Sequence, residues 1–380
     1  MEKQKYQSDY NTYRPRFDFN QCLRKTLANT GKSHFSQIRE IFSLMRRPSL
    51  LLPPDYYYFQ LYDDSKYSME DKRRFLSDRA HAGVIRKCCD RSWWALADDK
   101  HFCYTLLQAF GAPTPRLQCI FSSGTRHYGT ARTCRSAEEL ATFFHHEASF
   151  PIFAKPNGGI GSFGVFLVEG YDSNAKEVRL FGGSHLPLDS FCHQIDGCDG
   201  YLLQDVLKPH PQLIPICGKR ISTVRVIVLL DQSSPEIIQS IWKIPGSDSI
   251  ADNFWRKGNM LGAVDIETGE VKRVIRGYGF DLHEIQTHPD TGNAIQGITL
   301  PCWSELKTLC VEYARMFEKI RYLSWDIALC PEGPVVVEVN TGSSFMLSQL
   351  VTGEGFLTDR FCAFLEHCGY AIKRRPLPAT

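Results

Sequence analysis

Two apolar runs near the end of the chain form the clearest pattern in the sequence. Residues 323–329 carry Asp326 among apolar neighbours, and residues 333–342 carry Glu338 and Asn340. The polar link between the runs has the length and composition of a hairpin loop. Because strand side chains alternate between faces, pairing the runs brings the three oxygen-bearing side chains onto one face. This set predicts a Mg²⁺ site, since Mg²⁺ prefers oxygen ligands. Two strands with solvated polar faces are the alternative interpretation.

A second pattern, in residues 151–168, consists of a strand, a glycine-rich segment and another strand. The first apolar run ends in Lys155, and residues 165–168 form the second run. Glycine lets backbone N–H groups approach phosphate oxygens, so the segment predicts a flap over a nucleotide, with Lys155 neutralising phosphate charge. Its Gly-x-Gly-x-x-Gly spacing is not a dinucleotide fingerprint, because a strand follows it. An ordinary glycine-rich hairpin is the alternative. The flap residues are Gly159, Gly161, Ser162 and Gly164.

Helical periodicity alternates with further strand-like runs. Residues 38–45 have apolar positions at helical spacing, and residues 70–89 predict one continuous helix. Ser136 and Ser304 precede helical runs and are expected to cap them. Strands are expected at residues 117–121, 201–207, 221–230 and 240–244. The mixture predicts an α+β fold.

Three basic residues occupy positions where a cation needs a partner. Asp98 or Asp99 caps a predicted helix, and Lys100 then lies in its first turn. The helix dipole disfavours a cation there, and an anionic ligand would offset the misfit. Arg225 and Lys243 lie within apolar strands, where a buried charge requires an anionic partner. A structural salt bridge and a bound anionic substrate are both compatible with this pattern.

Composition excludes several classes of protein. The 380 residues are 43% hydrophobic and 23% charged, which is typical of a globular protein. The formal net charge of +2 does not indicate a nucleic-acid partner. No run of 18 apolar residues exists and the N-terminus has no apolar signal segment, so we expect no membrane span and a cytoplasmic location. The 14 cysteines are scattered, which predicts reduced thiols instead of a zinc site or a disulfide framework.

Taken together, the two patterns resemble the ATP-grasp superfamily, from about residue 94 to the C-terminus. More narrowly, the chain resembles the sugar-transfer-associated ATP-grasp family, which is related to the α-L-glutamate ligases. The resemblance implies two α+β lobes that clamp ATP, in residues 94–207 and 208–380, behind a mainly helical extension in residues 1–93. The segments that carry the narrower resemblance are residues 223–226, 252–254, 264–269, 288–292 and 325–328.

The resemblance also implies roles for individual residues. Lys100, Lys155 and Lys243 would contact ATP phosphates, and Arg225 or Arg256 would bind the acceptor carboxylate. Gln204, Asp205, Val206 and Leu207 would lie against adenine, and Asp326, Glu338 and Asn340 would hold Mg²⁺. Asn253, Asn259, His288 and Ser343 would lie on the substrate side. No acid stands where the ribose ligand is often found. His288 is either a base or, as the alternative, a turn histidine in a solvated loop.

These roles imply an ATP-dependent carboxylate–amine ligase that uses ATP and Mg²⁺ and acts on a small-molecule carboxylate and amine. Ser324 stands where D-alanine–D-alanine ligases have an arginine two residues before the metal-binding Asp. This departure keeps a small-molecule kinase open, since phosphoryl transfer needs the same metals and lysines. A non-catalytic nucleotide-binding subunit is a third possibility. The sequence makes no prediction of the oligomeric state.

Overall fold

Two β-sheets form the frame of the molecule, and helices cover their faces. The computed structural model describes residues 17–159, 164–196, 199–231, 234–246, 249 and 251–372. Within these residues each sheet has seven strands, the first built from residues 117–205 and the second from residues 223–341. The predicted α+β class is therefore confirmed. The domain boundaries expected after residues 93 and 207 stay a prediction, and they place each sheet in one predicted unit.

A series of short helices precedes the first sheet. The helix predicted around residues 38–45 is confirmed, but the single helix predicted over residues 70–89 is wrong. The chain is extended at Phe75, with ψ 139°, and Ser77 caps a new helix by accepting hydrogen bonds from two backbone N–H groups. The Gln349 side chain exchanges two hydrogen bonds, of 2.7 and 2.8 Å, with the Leu76 backbone and so satisfies the groups that the break exposes. These helices are α1 (Phe19–Thr30), α2 (His34–Leu44), α3 (Pro53–Tyr58), α4 (Met69–Arg74), α5 (Asp78–Cys88), α6 (Ala95–Asp98) and α7 (Lys100–Ala109).

The first sheet presents Lys155 near its centre. Its strands are β1 (Leu117–Phe121), β2 (Thr133–Cys134), β3 (Ile152–Pro156), β4 (Phe166–Asp172), β5 (Glu177–Leu180), β6 (Ser184–Pro187) and β7 (Tyr201–Asp205), in the order β2-β1-β7-β3-β4-β5-β6. Helices α8 (Ala137–His146) and α9 (Leu188–Ile195) bury Phe143 and Phe191 against Ile152. Ser136 caps α8 as predicted, accepting from the backbone N–H of Glu139.

The second sheet ends in the hairpin that the sequence predicted. Its strands are β8 (Thr223–Leu230), β9 (Pro235–Ile244), β10 (Met260–Val264), β11 (Val271–Arg276), β12 (His283–Glu284), β13 (Tyr322–Cys330) and β14 (Gly333–Thr341), in the order β12-β11-β10-β9-β8-β13-β14. Strand β14 is therefore an edge strand. The register of β13 and β14 shifts between Asp326 and Ile327, so Val337 is a bulge residue without a partner in that ladder.

The remaining helices pack against the second sheet. They are α10 (Ile214–Cys217), α11 (Trp303–Ala314), α12 (Phe345–Thr352) and α13 (Asp359–His367). The predicted cap at Ser304 is wrong, because α11 already begins at Trp303. The residue before it, Cys302, has φ 52° and provides no side-chain cap. The Trp303 indole instead donates to the Ile266 carbonyl at 2.9 Å, which ties the start of the helix to the loop after β10.

The N-terminal helices cover part of the same face of the second sheet that carries the predicted site. Tyr57 lies in one buried cluster with Ile241 and Leu261 of β9 and β10. In the register of β8 and β9, Ile241 lies opposite Arg225. Directly opposed residues in antiparallel strands share a face. The extension therefore packs on the apolar part of that face, over β9 and β10.

Two findings on the described residues concern the cysteines and the length of the helices. The cysteines within the described ranges are all free thiols, and most of them are buried. None of the helices in the described part of the chain has the length and apolar character needed to cross a membrane.

Candidate nucleotide and metal site

The structure brings the three predicted metal ligands together. Asp326 lies directly opposite Glu338 across β13 and β14, and Asn340 lies opposite Ser324. Asp326 and Ser324 are two residues apart in a strand, as are Glu338 and Asn340, so all four share one face. The juxtaposition predicted from the alternating pattern is therefore confirmed as geometry.

Asp326 is held by two cations from neighbouring strands. Arg225 Nε and Nη2 donate to Asp326 Oδ1 and Oδ2 at 2.9 and 2.7 Å, and Lys243 Nζ lies 3.1 Å from Oδ2. Burial by itself raises the pKa of the Asp326 carboxyl, but the charges of Arg225 and Lys243 outweigh it and hold that pKa well below its usual range. Arg225 thus has the anionic partner that its apolar strand required, and that partner is a protein side chain.

Glu338 is held from the other side of the cleft. Asp99 caps α7 and leaves Lys100 at the first helical position, as expected. Lys100 Nζ lies 3.0 Å from Glu338 Oε1 and donates to the carbonyl of Gly159 at 2.6 Å. The anion that offsets a cation in this first turn is therefore Glu338. Lys100 connects the start of the glycine-rich segment to the edge of the second sheet.

Lys155 is buried at the end of β3 beside the same edge strand. Its Nζ donates to the Tyr104 hydroxyl at 2.7 Å and to the Val337 carbonyl at 3.2 Å. Burial lowers the pKa of the Lys155 ammonium to about 8. Tyr104 was not among the predicted site residues, although a spacing of four residues places Lys100 and Tyr104 on one helix face.

A cavity of about 200 Å³ lies beside Lys100, Lys155 and Glu338. Apolar side chains of Phe153, Val165 and Leu167 line one part, and Lys100, Lys155 and Glu338 line another. Lys219 and Arg220 also line the cavity and were not among the predicted site residues. Their only sequence signal is two adjacent cations after a glycine. The lining also includes Gly159, Gln204, Asp205, Val206 and Leu207 from the predicted nucleotide site.

The predicted hinge residues Gln204 and Asp205 and the predicted flap residue Gly164 differ in their contacts and conformation. Gln204 is buried, and its Nε2 has no hydrogen-bond partner among the described residues. Asp205 pairs with Arg116 through two hydrogen bonds of 2.7 and 3.0 Å. Gly164 has φ 67°, a left-handed conformation that favours glycine. The predicted flap residues Gly161 and Ser162 lie outside the described residues.

Asn259 holds a loop together. Its Oδ1 accepts from the backbone N–H of Gly246 at 2.8 Å, and its Nδ2 donates to the carbonyls of Ala251 and Asn253 at 2.8 and 2.7 Å. Asn259 is also buried. These bonds engage the amide group within the protein and fix the loop that carries Asn253 and Arg256.

Asp252, at the start of this loop, binds the second sheet. It accepts from the backbone N–H of Thr223 at 2.8 Å and from the Thr223 hydroxyl, and Lys243 Nζ lies 3.7 Å from its Oδ1. Lys243 therefore stands between Asp252 and Asp326. Asp252 and Thr223 line the cavity, which places the loop at its border.

His288 is not a solvated turn residue, so that alternative interpretation is wrong. The side chain is buried, its Nδ1 accepts from the backbone N–H of Asp290 at 3.2 Å, and its Nε2 lies 3.1 Å from the Pro245 carbonyl. Ser343 is also buried, and its Oγ has no hydrogen-bond partner among the described residues.

The donor chemistry fits Mg²⁺. Among the described residues no group of three His, Cys, Asp or Glu stands together. A cation here would rely on two carboxylates, one amide oxygen and the oxygens of a substrate, which is how Mg²⁺ is commonly bound in phosphate-transfer sites. The amide nitrogen of Asn340 has no hydrogen-bond partner in the described part of the chain, so no hydrogen bond from that nitrogen holds the side chain in place.

A profile of the family described as sugar-transfer associated ATP-grasp matches residues 79–363. No curated protein matches the sequence. The match confirms the family resemblance that the sequence motifs indicated.

Several solved structures are similar at low identity. An ATP-grasp ligase, PsnB, complexed with the precursor peptide PsnA2 and AMPPNP, is 15% identical; the match covers 73% of this chain and 60% of that one, with a TM-score of 0.38. D-alanyl-alanine synthetase A from Vibrio cholerae is 16% identical over 74% and 66%, with a TM-score of 0.41. Phosphoribosylamine–glycine ligase from Thermotoga maritima is 12% identical over 79% and 62%, with a TM-score of 0.44. The chain spans less than two thirds of each of these proteins.

Proposed function

This chain belongs to the sugar-transfer associated ATP-grasp family, and we propose that it is an ATP-dependent ligase that joins a small-molecule carboxylate to an amine. One observation carries the proposal: Lys100 and Lys155 converge with Glu338 at one cavity. Cations beside the first sheet thus face a carboxylate of the second sheet across a space lined elsewhere by apolar side chains. This arrangement suits a purine at one end and a triphosphate at the other.

Nucleotide binding would redistribute the existing ion pairs. Lys100 and Lys155 would turn from Glu338 and the Val337 carbonyl toward phosphate oxygens. Adenine would lie against Gln204 and the segment 205–207, where a hinge backbone offers both a carbonyl and an N–H group. The unpartnered Nε2 of Gln204 supports this placement. The flap at Gly159 and Gly164 would cover the phosphates.

Asp326, Glu338 and Asn340 are the residues that would hold Mg²⁺, which would neutralise phosphate charge. Glu338 and Asn340 supply oxygens at the edge of the sheet, while both oxygens of Asp326 are already hydrogen-bonded. Asp326 would therefore share its carboxylate with Arg225 and Lys243 when the ion is bound. Lys243 also stands near Asp252, so it can move between two carboxylates as the charge in the site changes.

The proposed chemistry has two steps. An oxygen of the substrate carboxylate attacks the γ-phosphorus, a new P–O bond forms, and the bond to ADP breaks with its electron pair leaving on ADP. The amine nitrogen then attacks the acyl carbon of this acyl phosphate, the C–N bond forms, phosphate departs with the electron pair of the C–O bond, and the nitrogen loses one proton to phosphate or water. The protein's task is to align the groups and compensate charge. Arg256, Asn253 and Ser343 are the proposed contacts for the acid and the amine.

A small-molecule kinase is the second candidate, and one observation favours it. Arg225 donates from Nε and Nη2 to Asp326, so the charge of this arginine is already paired with a protein carboxylate. Ser324, at the position where related ligases have an arginine, donates its hydroxyl to the Gly342 carbonyl at 2.9 Å. The remaining candidates for binding a substrate carboxylate are Arg256 and the cavity residues Lys219 and Arg220, whereas phosphoryl transfer to a neutral hydroxyl needs none of them.

Product analysis distinguishes the two reactions. The protein is incubated with Mg²⁺, ATP and panels of carboxylic acids, with hydroxylamine as a surrogate amine. A ligase releases ADP and inorganic phosphate in equal amounts and forms a hydroxamate of the true acid. A kinase releases ADP without inorganic phosphate and forms a phosphorylated acceptor. ADP with a phosphorylated sugar or polyol, and no hydroxamate from any acid, would overturn the ligase proposal.

A further inference from the structure

The hydroxyl of Tyr104 touches both halves of the site. Its Oη accepts a hydrogen bond from Lys155 Nζ at 2.7 Å and donates to the Val337 carbonyl at 2.5 Å. Lys155 belongs to the first sheet and Val337 to the second, while Tyr104 lies on α7 between them. Tyr104 is almost fully buried, at 3% exposure, so its hydroxyl is largely shielded from water.

The bulge in β14 explains why the Val337 carbonyl is available. Most carbonyls of a strand are used in its ladder, but Val337 is the extra residue where the register with β13 shifts. Strand β14 is also the edge of its sheet, so it has no second neighbour. The carbonyl of Val337 accepts from both Tyr104 and Lys155. The peptide bond leading to Glu338 is therefore fixed by the first half of the molecule.

Helix geometry places Tyr104 where it can do this. Lys100 and Tyr104 are four residues apart on α7 and so lie on one face, one turn from each other. Lys100 pairs with Glu338, and Tyr104 contacts the residue before it. Two side chains of α7 thus hold two consecutive residues of β14. Helix α7 therefore fixes the distance between Lys155 and β14, the strand that carries Glu338 and Asn340.

We infer that Tyr104 is a positioning residue that holds the Lys155 ammonium in place for a nucleotide phosphate. A lysine has a long flexible side chain, and its ammonium is a point charge without a preferred direction. Because the Tyr104 proton is donated to Val337, a lone pair of Oη faces Lys155 and fixes the ammonium from one side. The inference rests on the proposed nucleotide site and adds to it a residue that never needs to touch the nucleotide.

A double-mutant cycle tests this role. Tyr104→Phe keeps the ring that packs beside Lys155 and removes only the hydroxyl. We expect the variant to lose roughly tenfold in affinity for Mg²⁺ with a non-hydrolysable ATP analogue, as measured by calorimetry, because a hydrogen bond to a charged group is lost. Lys155→Met should lose more. In the Lys155→Met background, Tyr104→Phe should cause no further loss, because the residue acts through Lys155.

Tyr57→Phe is the matched control. The Tyr57 hydroxyl is also buried and donates to Gln37 Oε1 at 3.0 Å, away from the cavity. This variant should keep wild-type affinity while its thermal unfolding shifts about as much as that of Tyr104→Phe. Equal loss of affinity for Tyr104→Phe in both backgrounds, or unchanged affinity in the wild-type background, would overturn the inference. If the wild-type protein itself binds no nucleotide, the proposed site fails and the inference fails with it.

Discussion

Asp326 and Glu338 lie directly opposite each other across two strands, yet they bind cations from different parts of the molecule. Asp326 is paired within its own sheet, by Arg225 and Lys243. Glu338, on the edge strand, is paired by Lys100 of α7. The site is thus already compensated in charge without a ligand. When a nucleotide binds, we expect the pair of Lys100 and Glu338 to separate more readily than the pairs of Asp326, because Asp326 is almost fully buried.

Breaking the buried pair of Arg225 and Asp326 from one side should strongly destabilise the folded protein. Arg225→Met leaves the Asp326 carboxylate buried with one of its two cations, and breaking a buried pair from one side costs about 3–5 kcal/mol. We expect a loss of that size in the free energy of unfolding measured with urea. Arg116→Met is the control, because Arg116 forms a similar two-bond pair with Asp205 at the surface and should cost less than about 1 kcal/mol. Equal losses would contradict the role assigned to burial.

Glu338 should be essential for turnover but not for folding. Glu338→Gln removes the charge that a metal ion requires and keeps the shape of the side chain. Glu338 is partly exposed, with 24% of its side chain accessible, but the variant also removes the carboxylate beside buried Lys100, so we expect a lower melting temperature with folding retained. Turnover that depends on Mg²⁺ should fall to background. Glu332→Gln, in the hairpin loop of the same two strands, should behave as wild type, whereas Mg²⁺-dependent turnover near the wild-type rate in Glu338→Gln would remove the metal assignment.

Gly164 should be required for ATP use. Its φ of 67° penalises any side chain, and a Cβ at the flap also obstructs backbone approach to phosphate. Gly164→Val should raise the KM for ATP. Gly129→Val provides the comparison, because Gly129 has φ 60° in a turn where a Cβ meets nothing within 4 Å. Both variants carry backbone strain of roughly 1–2 kcal/mol. An equal effect of both on the KM for ATP would mean that strain alone, and not the flap, is responsible.

Nucleotide affinity should depend on pH through Lys155. In the protein without nucleotide, burial lowers the pKa of the Lys155 ammonium to about 8, and a bound phosphate would favour its charged form. Binding above pH 8 therefore requires uptake of a proton, and affinity should fall by about tenfold per pH unit there and be level just below it. Lys155→Met should lack this slope. The same slope in both proteins would assign it to another group.

The same shift has a defined sign for stability. The folded pKa of about 8 lies below the 10.5 of an exposed lysine, so the unfolded chain holds the proton more tightly between these values. The stability contribution of Lys155 is fully present above pH 10.5 and is lost as the pH falls through 8. The difference in unfolding free energy between wild type and Lys155→Met should therefore shift in favour of wild type as the pH rises from 8 to 10.5.

Alternating patterns allowed the hairpin to be predicted in detail. A strand has a period of two, so the positions of Asp326, Glu338 and Asn340 in their runs already decide which side chains share a face. The end of an apolar run placed Lys155 at a strand end, and the helix cap at Asp98 or Asp99 placed Lys100 in a first turn. Helix breaks were less predictable. The interruption at residues 75–77 is stabilised by Gln349, more than 270 residues away in the chain. Its side chain forms the hydrogen bonds that the Leu76 backbone would otherwise lack in an extended segment.

The sequence by itself determined the local chemistry: which strands carry acids, which carry cations, and which segment has the glycines that let backbone N–H groups approach phosphate. Only the tertiary structure decided which cation meets which acid. Arg225 and Asp326 are 101 residues apart, and Tyr104 and Val337 are 233 apart, so no local spacing could pair them. Tertiary structure also engaged Asn259 and His288 in loop contacts, although both were predicted to meet substrate. A polar side chain satisfies whichever partner the fold brings within about 3 Å, and that partner is set by packing across the two sheets.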